Sequence, residues 1–226
     1  MEGSSPSRGT GNIFAVLDRA REITKDPGLT TLELRKHVGI PLGSEIRDWL
    51  ADQPDRAKLY IDFSGIRAIN LSVAEELGPS LMQTLNTDLG LAHKYPVFII
   101  DAPEPLYTLA RAFAHSNWNG LAVLRSRVDA TPLAFPVFTR GEETFVILGL
   151  LSDQMKRILE LAETRARQHG PLTSETLQEL SFLSTTQLSA RSKRLTELYA
   201  RRLLTFVENP EKPKERLFSP VWRIDE

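Results

Sequence analysis

YIDFSGIRAINLSVAEELG, residues 60–78, joins an apolar run ending in Asp62 to a glycine turn and then to a second apolar pattern led by Ser72. KLYIDFS (58–64) is rich in β-formers and bounded by Gln53-Pro54-Asp55 and Gly65, which predicts a buried strand. Beyond the turn, Val73, Leu77, Leu81 and Leu85 recur with a helical period. Ser72 and Glu75 stand at capping-box spacing, so Ser72 is expected to cap that helix. Pro79 inside the pattern predicts a kink or a late start.

Working outward, the same alternation of element types continues. IFAVLDRAREI (13–23) fits one helix face, and Asp26-Pro27-Gly28 stops it. TTLELRKHV (30–38) alternates weakly and reads as a strand, GIPLG as a turn, and SEIRDWLAD (44–52) as a short helix capped by Ser44. YPVFIID (95–101) is a second buried strand ending in an aspartate. PEPLYTLARAFAH (103–115) is expected to be helical, with GLAVLRS (120–126) and ETFVILG (143–149) as strands. That order predicts an α/β sheet covered by helices over residues 13–150, behind a flexible polar arm at 1–12.

After Leu151 the pattern becomes helical. SDQMKRILELAETRARQHG (152–170) is amphipathic, with Ser152 as cap, Gly170 as terminator and a stripe of Met155, Ile158, Leu159, Ala162 and Ala166. TSETLQEL (173–180) and TTQLSARSKRLTELYARRLL (185–204) are expected as two further helices, the latter with Leu188, Leu195 and Leu198 inward. LLTFVEN and RLFSPVW flank the charged turn PEKPKE as two strands. Three helices and a two-stranded ribbon over 151–226 is the plan of a winged helix-turn-helix domain.

Composition narrows the chemistry. The 226 residues are 41% hydrophobic, enough for one sizeable core or two small ones, with a net charge of −1 that excludes a uniformly basic nucleic-acid coat. With no cysteine, disulfides, thiolate catalysis and cysteine-based metal sites are excluded, and the four histidines lack metal-helix spacing. No apolar run approaches membrane-spanning length, and the polar start lacks an apolar signal core, so a cytoplasmic protein is expected. Neither GTG (9–11) nor IPLGSE has the context of a phosphate-binding loop. No metal and no cofactor is expected.

The positive charge concentrates in one place. Residues 184–216 carry eight Lys or Arg against four Asp or Glu, whereas 1–151 carry fifteen against eighteen. In a helix-turn-helix the exposed face of the second helix meets the major groove. Thr185, Thr186, Gln187, Ser189, Arg191, Lys193 and Arg194 stand on the leading half of that helix, and Lys212, Lys214 and Arg216 stand on the ribbon, within reach of phosphates. Glu208, Glu211 and Glu215 dilute the ribbon, which leaves a protein-docking module as the other reading.

Two resemblances follow from these residues. KRLTELYARRLL (193–204) resembles the RRLxxLxxxGL phrase with which bacterial winged-helix regulators end the recognition helix and enter the wing; Arg202 stands where a glycine is usual. GSEIRDWL (43–50) and YIDFSGIRAINLSVAEELG resemble the STAS-like domains of bacterial regulatory proteins, over roughly residues 29–100. That resemblance implies protein–protein contact or small-ligand sensing without catalysis. Anti-sigma-factor antagonists of the superfamily carry a phosphorylatable serine after an acidic residue at the helix start. Those positions are Leu71 and Asn70 here, so the usual switch is missing and Ser72 is left as cap or modification site.

Further candidates are Asp62 and Asp101, which end neighbouring strands where α/β sheets bind ligands. A carboxylate pair there could bind a metal or run acid–base chemistry; the other reading is that Asp62 anchors the turn at Gly65 through its side chain. No basic partner or third carboxylate stands at a spacing suited to catalysis, and the expectation is no enzyme. Trp118, in FAHSNWNG with His115 and Asn117, is a candidate partner or ligand contact, or a core residue at a helix end. The expected partners are double-stranded DNA through 151–226 and a protein, a ligand or a second copy through 13–150. A homodimer is expected from the half-site logic of winged helices, with helix 152–170 a candidate seam. The alternative is an adaptor of the anti-sigma-antagonist type, or a defence-system accessory, that does not bind DNA.

Overall fold

The computed structural model describes residues 12–116, 121–125, 136–140, 143–149, 151–168, 170 and 172–224. The first described element is a short strand, β1 (Ile13–Ala15), that runs directly into α1 (Val16–Thr24). The helical pattern from 13 onward therefore begins three residues late: Ile13, Phe14 and Ala15 pair in parallel with Tyr60, Ile61 and Asp62. β2 (Thr31–Leu32) is only two residues long and pairs with β4 (Ala68–Ile69). The expected strand 30–38 stops there, because Leu34 turns left-handed at φ 61° and Arg35–Gly39 forms a π-helical turn.

That turn feeds α2 (Ile40–Asp52), so GIPLG is helix rather than turn and Ser44 lies inside the helix instead of capping it. Pro41 sits in the first turn of α2, where a missing N–H costs little. Ile46, Trp49 and Leu50 are buried as expected. β3 (Lys58–Asp62) follows, then β4, then α3 (Leu71–Glu75) and α4 (Leu81–Thr87). A π-helical turn over Glu76–Ser80 joins the last two and absorbs Pro79. Gly78 in that turn lets the helix over 103–115 approach: a Cβ there would meet Phe113 Cε2 at 2.8 Å.

β5 (Tyr95–Ile100), α5 (Pro103–His115), β6 (Leu121–Arg125), β7 (Val137–Arg140) and β8 (Glu143–Leu148) complete a six-stranded mixed sheet in the order β1-β3-β5-β6-β8-β7. β1, β3, β5 and β6 are parallel; β8 runs antiparallel to β6, and β7 to β8. The chain is thus an α/β fold with a mixed sheet flanked by helices.

Strand side chains alternate between faces, and both faces are apolar. Phe14, Leu59, Ile61, Phe98, Ile100, Val123, Val146 and Leu148 face the core shared with α1 to α5. Tyr60, Tyr95, Val97, Ala122, Phe145 and Ile147 face a second core. Its cover is α6 (Asp153–Arg167), α7 (Leu188–Ala200) and the antiparallel hairpin β9 (Leu204–Glu208) and β10 (Arg216–Pro220). Ser152 caps α6 by accepting from the Met155 amide at 3.3 Å. Met155, Ile158, Leu159 and Ala162 spend the α6 stripe on this core. Between α6 and α7 the expected helix 173–180 is replaced by two 3₁₀ turns, Thr176–Glu179 and Ser181–Leu183, separated by extended backbone at Leu180.

One buried carboxylate locks the C-terminal residues to this layer. Glu163, 5% exposed, accepts from Trp222 Nε1 at 2.8 Å, Arg223 Nε at 3.1 Å and Arg167 Nε at 2.9 Å. Burial opposes its charge, but the bonds from Arg223, Trp222 and Arg167 outweigh burial and hold the carboxyl below the usual glutamate range. Trp222 in turn stacks on Phe138 of β7, with centroids 4.7 Å apart. Glu163→Gln should cost about 3 kcal/mol in urea denaturation near neutral pH. Because the folded value is depressed, the gap from wild type should narrow as pH falls below the ordinary glutamate range. A gap that stays constant through that window would refute the assignment.

Candidate nucleic-acid interface

α7 begins at Leu188, so Thr185, Thr186 and Gln187 precede the helix instead of lying on it. Gln187 holds the N-cap position without a side-chain cap bond, which leaves first-turn amides free of that partner. Leu195 and Leu198 are buried, but Leu188 is 50% exposed, contrary to the inward position expected for it. At the first turn the helix has left the core, and Leu188 instead borders a groove.

The other end of α7 is fixed by Arg202. Its φ of 56° is left-handed, the Arg202 amide donates to Tyr199 O and the Leu203 amide to Leu198 O, which together form a Schellman cap. This conformation is why a glycine suits the position. Arg202 occupies it with a side chain that is 2% exposed, donates from Nη2 to Leu85 O and lies 5.6 Å from the Tyr199 ring. Beside it, Tyr199 Oη donates to Ala92 O at 3.1 Å and meets His93 Nδ1 at 3.1 Å. Burial pushes the Tyr95 phenol up to about 12, so it stays neutral in this seam.

An open groove of about 460 Å³ separates α7 from the hairpin. Leu188, Ser192 and Thr196 line one wall, and Lys212, Lys214 and Arg216 the other. Ser174 and Glu175 close its end, with the Ser174 and Ser192 hydroxyls 2.7 Å apart. These four polar groups, Ser174, Glu175, Ser192 and Thr196, escaped the sequence reading. Ser192 and Thr196 at i and i+4 on a helix already marked as polar were the available signal.

The basic groups differ in how free they are. Arg191 Nη1 donates to Glu175 O at 3.4 Å, and Arg194 lies 3.5 Å from Glu197. Lys212 Nζ stands 3.9 Å from both Glu175 and Glu215. Arg216 lies over the Phe206 ring at 4.3 Å. Lys193 and Lys214 are exposed and, among the described residues, have no carboxylate within ion-pair distance. Ser189, Thr185 and Gln187 are exposed and Thr186 is partly so.

The candidates of the first unit sit elsewhere. Asp62 Oδ1 accepts from the Ser64 amide at 2.8 Å, and Asp101 accepts from the Gly65 amide at 3.2 Å. The two carboxylates therefore hold the DFSG turn together, with Gly65 at φ 79° supplying the left-handed residue. Ser72 is not the cap of α3. Asn70 is: its Oδ1 accepts from the Ser72 amide and the Ser72 hydroxyl, both at 3.0 Å. Glu75, the other half of the expected box, pairs with His115 at 3.3 Å. Asn and Ser are equally good caps, and the extended backbone at Asn70 decides between them. Trp118 and Asn117 lie outside the described residues.

Among the described residues no group of three or more acidic or histidine side chains could hold a metal ion, and no helix is long and apolar enough to cross a membrane. Comparison with family models, with curated proteins and with solved structures finds no match to this chain. Asn70→Ala should lower stability by about 1 kcal/mol in chemical denaturation, and Ser72→Ala by clearly less. The reverse order would return the cap to Ser72.

Proposed function

We propose that the chain is a non-catalytic bacterial regulator that acts in the cytoplasm and binds double-stranded DNA through α7 and the β9–β10 hairpin, used as a winged helix. The single observation that carries this reading is the groove: the polar face of α7 and the basic edge of the hairpin border the same space. In that reading Ser189, Lys193 and the turn 185–187 meet base edges and the phosphates beside them, while Lys214 and Arg216 hold backbone. The sheet unit is STAS-like and receives a protein partner, a ligand or a second copy. A dimer would give two half-sites, and since the apolar stripe of α6 faces the core, its seam lies on another surface.

A second reading, a protein adaptor, is favoured by the carboxylates around the hairpin. Glu175, Glu208, Glu211 and Glu215 surround three lysine and arginine side chains, one of them held by two of these acids.

Counterion release separates the readings. With Lys193, Lys214 and Arg216 on phosphate, the slope of log affinity against log salt should be about −3; with all six basic candidates it would approach about −5. Fluorescence anisotropy of a labelled duplex with the full chain measures it. Lys193→Gln with Lys214→Gln should make the slope shallower by about 2. A wild-type affinity that ignores salt would reject DNA in favour of the adaptor.

A further inference from the structure

Phe206 of the hairpin carries two cations, and they come from different parts of the chain. Arg216 belongs to β10 and lies 4.3 Å from the ring centroid. Arg56, in the turn between α2 and β3, lies 5.9 Å from the same centroid. Two guanidinium groups beside one ring repel each other.

The turn that presents Arg56 is held firmly. Arg56 has a left-handed φ of 63°, uncommon for a residue with a β-carbon, and its amide donates to His93 O at 2.9 Å. Lys94, 3% exposed, donates to Gln53 O and pairs with Asp55 Oδ1 at 2.9 Å. The neighbouring Asp55 bonds to Lys94, whose hydrogen bond and charge, with smaller contributions from His93 and Arg56, hold its carboxyl below the usual range. Glu208 faces Arg216 across the hairpin, yet among the described residues neither Arg216 nor Arg56 has a carboxylate within ion-pair distance. The backbone is fixed, the cation is exposed, and no carboxylate among the described residues stands within ion-pair distance of it.

The geometry points to Arg56 as a phosphate-binding residue: the sheet unit extends the basic edge of Lys214 and Arg216 so that the duplex backbone contacts both units at once. This rests on the DNA reading above. It places a contact outside the winged helix itself, on the turn joined through His93 to Tyr199 at the end of α7.

The test is a salt titration of the full chain against a labelled duplex, from about 50 to about 200 mM salt. Arg56→Asn removes the charge and tolerates the left-handed backbone. Its slope should be shallower than wild type by about 0.9, with an affinity loss that is largest at low salt. Arg56→Lys should restore the slope, and Arg111→Gln, an exposed cation on α5, should leave it unchanged. A wild-type slope in Arg56→Asn overturns the assignment while the DNA reading stands. An affinity loss without a change of slope overturns it too, since that marks a structural effect. A wild-type chain with no salt-dependent binding removes the DNA reading and this contact with it.

Discussion

Every strand in the centre of this sheet puts apolar side chains on both faces, so neither face can be left to water. Leu59 and Ile61 point one way while Tyr60 points the other; Val146 and Leu148 oppose Phe145 and Ile147. At about 25 cal/mol for each Å² of apolar surface buried, an uncovered face of six such residues would cost several kcal/mol. α1 to α5 cover the first face. Among the described residues the second is covered by α6, α7, the hairpin and the turns beside them, which is why the C-terminal third is bound to the sheet instead of hanging from it.

Polar contacts then fix how that cover sits. Glu163 gathers Arg167, Trp222 and Arg223 at one end, and the stacked Trp222 carries the constraint to β7. At the other end, Tyr199 and Arg202 bond to main-chain oxygens of Ala92 and Leu85. Hydrogen bonds to backbone carbonyls are directional, unlike the apolar contacts around them. They select one orientation of α7 from the many that would bury the same surface.

Much of this was legible locally. The strands at 58–62 and 95–100, helix α5 and helix α6 with its Ser152 cap follow from residue pattern within a single element. What escaped depends on distant chain. Ile13 to Ala15 fit a helix as well as a strand until β3 is beside them. The weak alternation of 30–38 lost to a partner only two residues long in β4, and TSETLQEL had too few apolar residues to sustain a full helix. The groove suffered likewise: charge counting found Lys212 and Arg216 but not the internal partners that occupy them, and nothing near residue 56 announces Phe206.

Arg202 shows the two levels in conflict and how the conflict is resolved. A residue with a β-carbon in the left-handed region costs on the order of 1 kcal/mol, and a glycine would avoid it. Burying a guanidinium adds to the cost, and burial does draw its pKa downward, against the opposing effect of Tyr199 and Tyr95. Both costs fall on the residue that stops α7, and the same side chain carries the bond to Leu85. A glycine here would end the helix as well but would lose the bond to Leu85, leaving Tyr199 alone to tie that end to the sheet unit. Arg202 is therefore one of the points at which α7 acquires a fixed relation to the layer behind it.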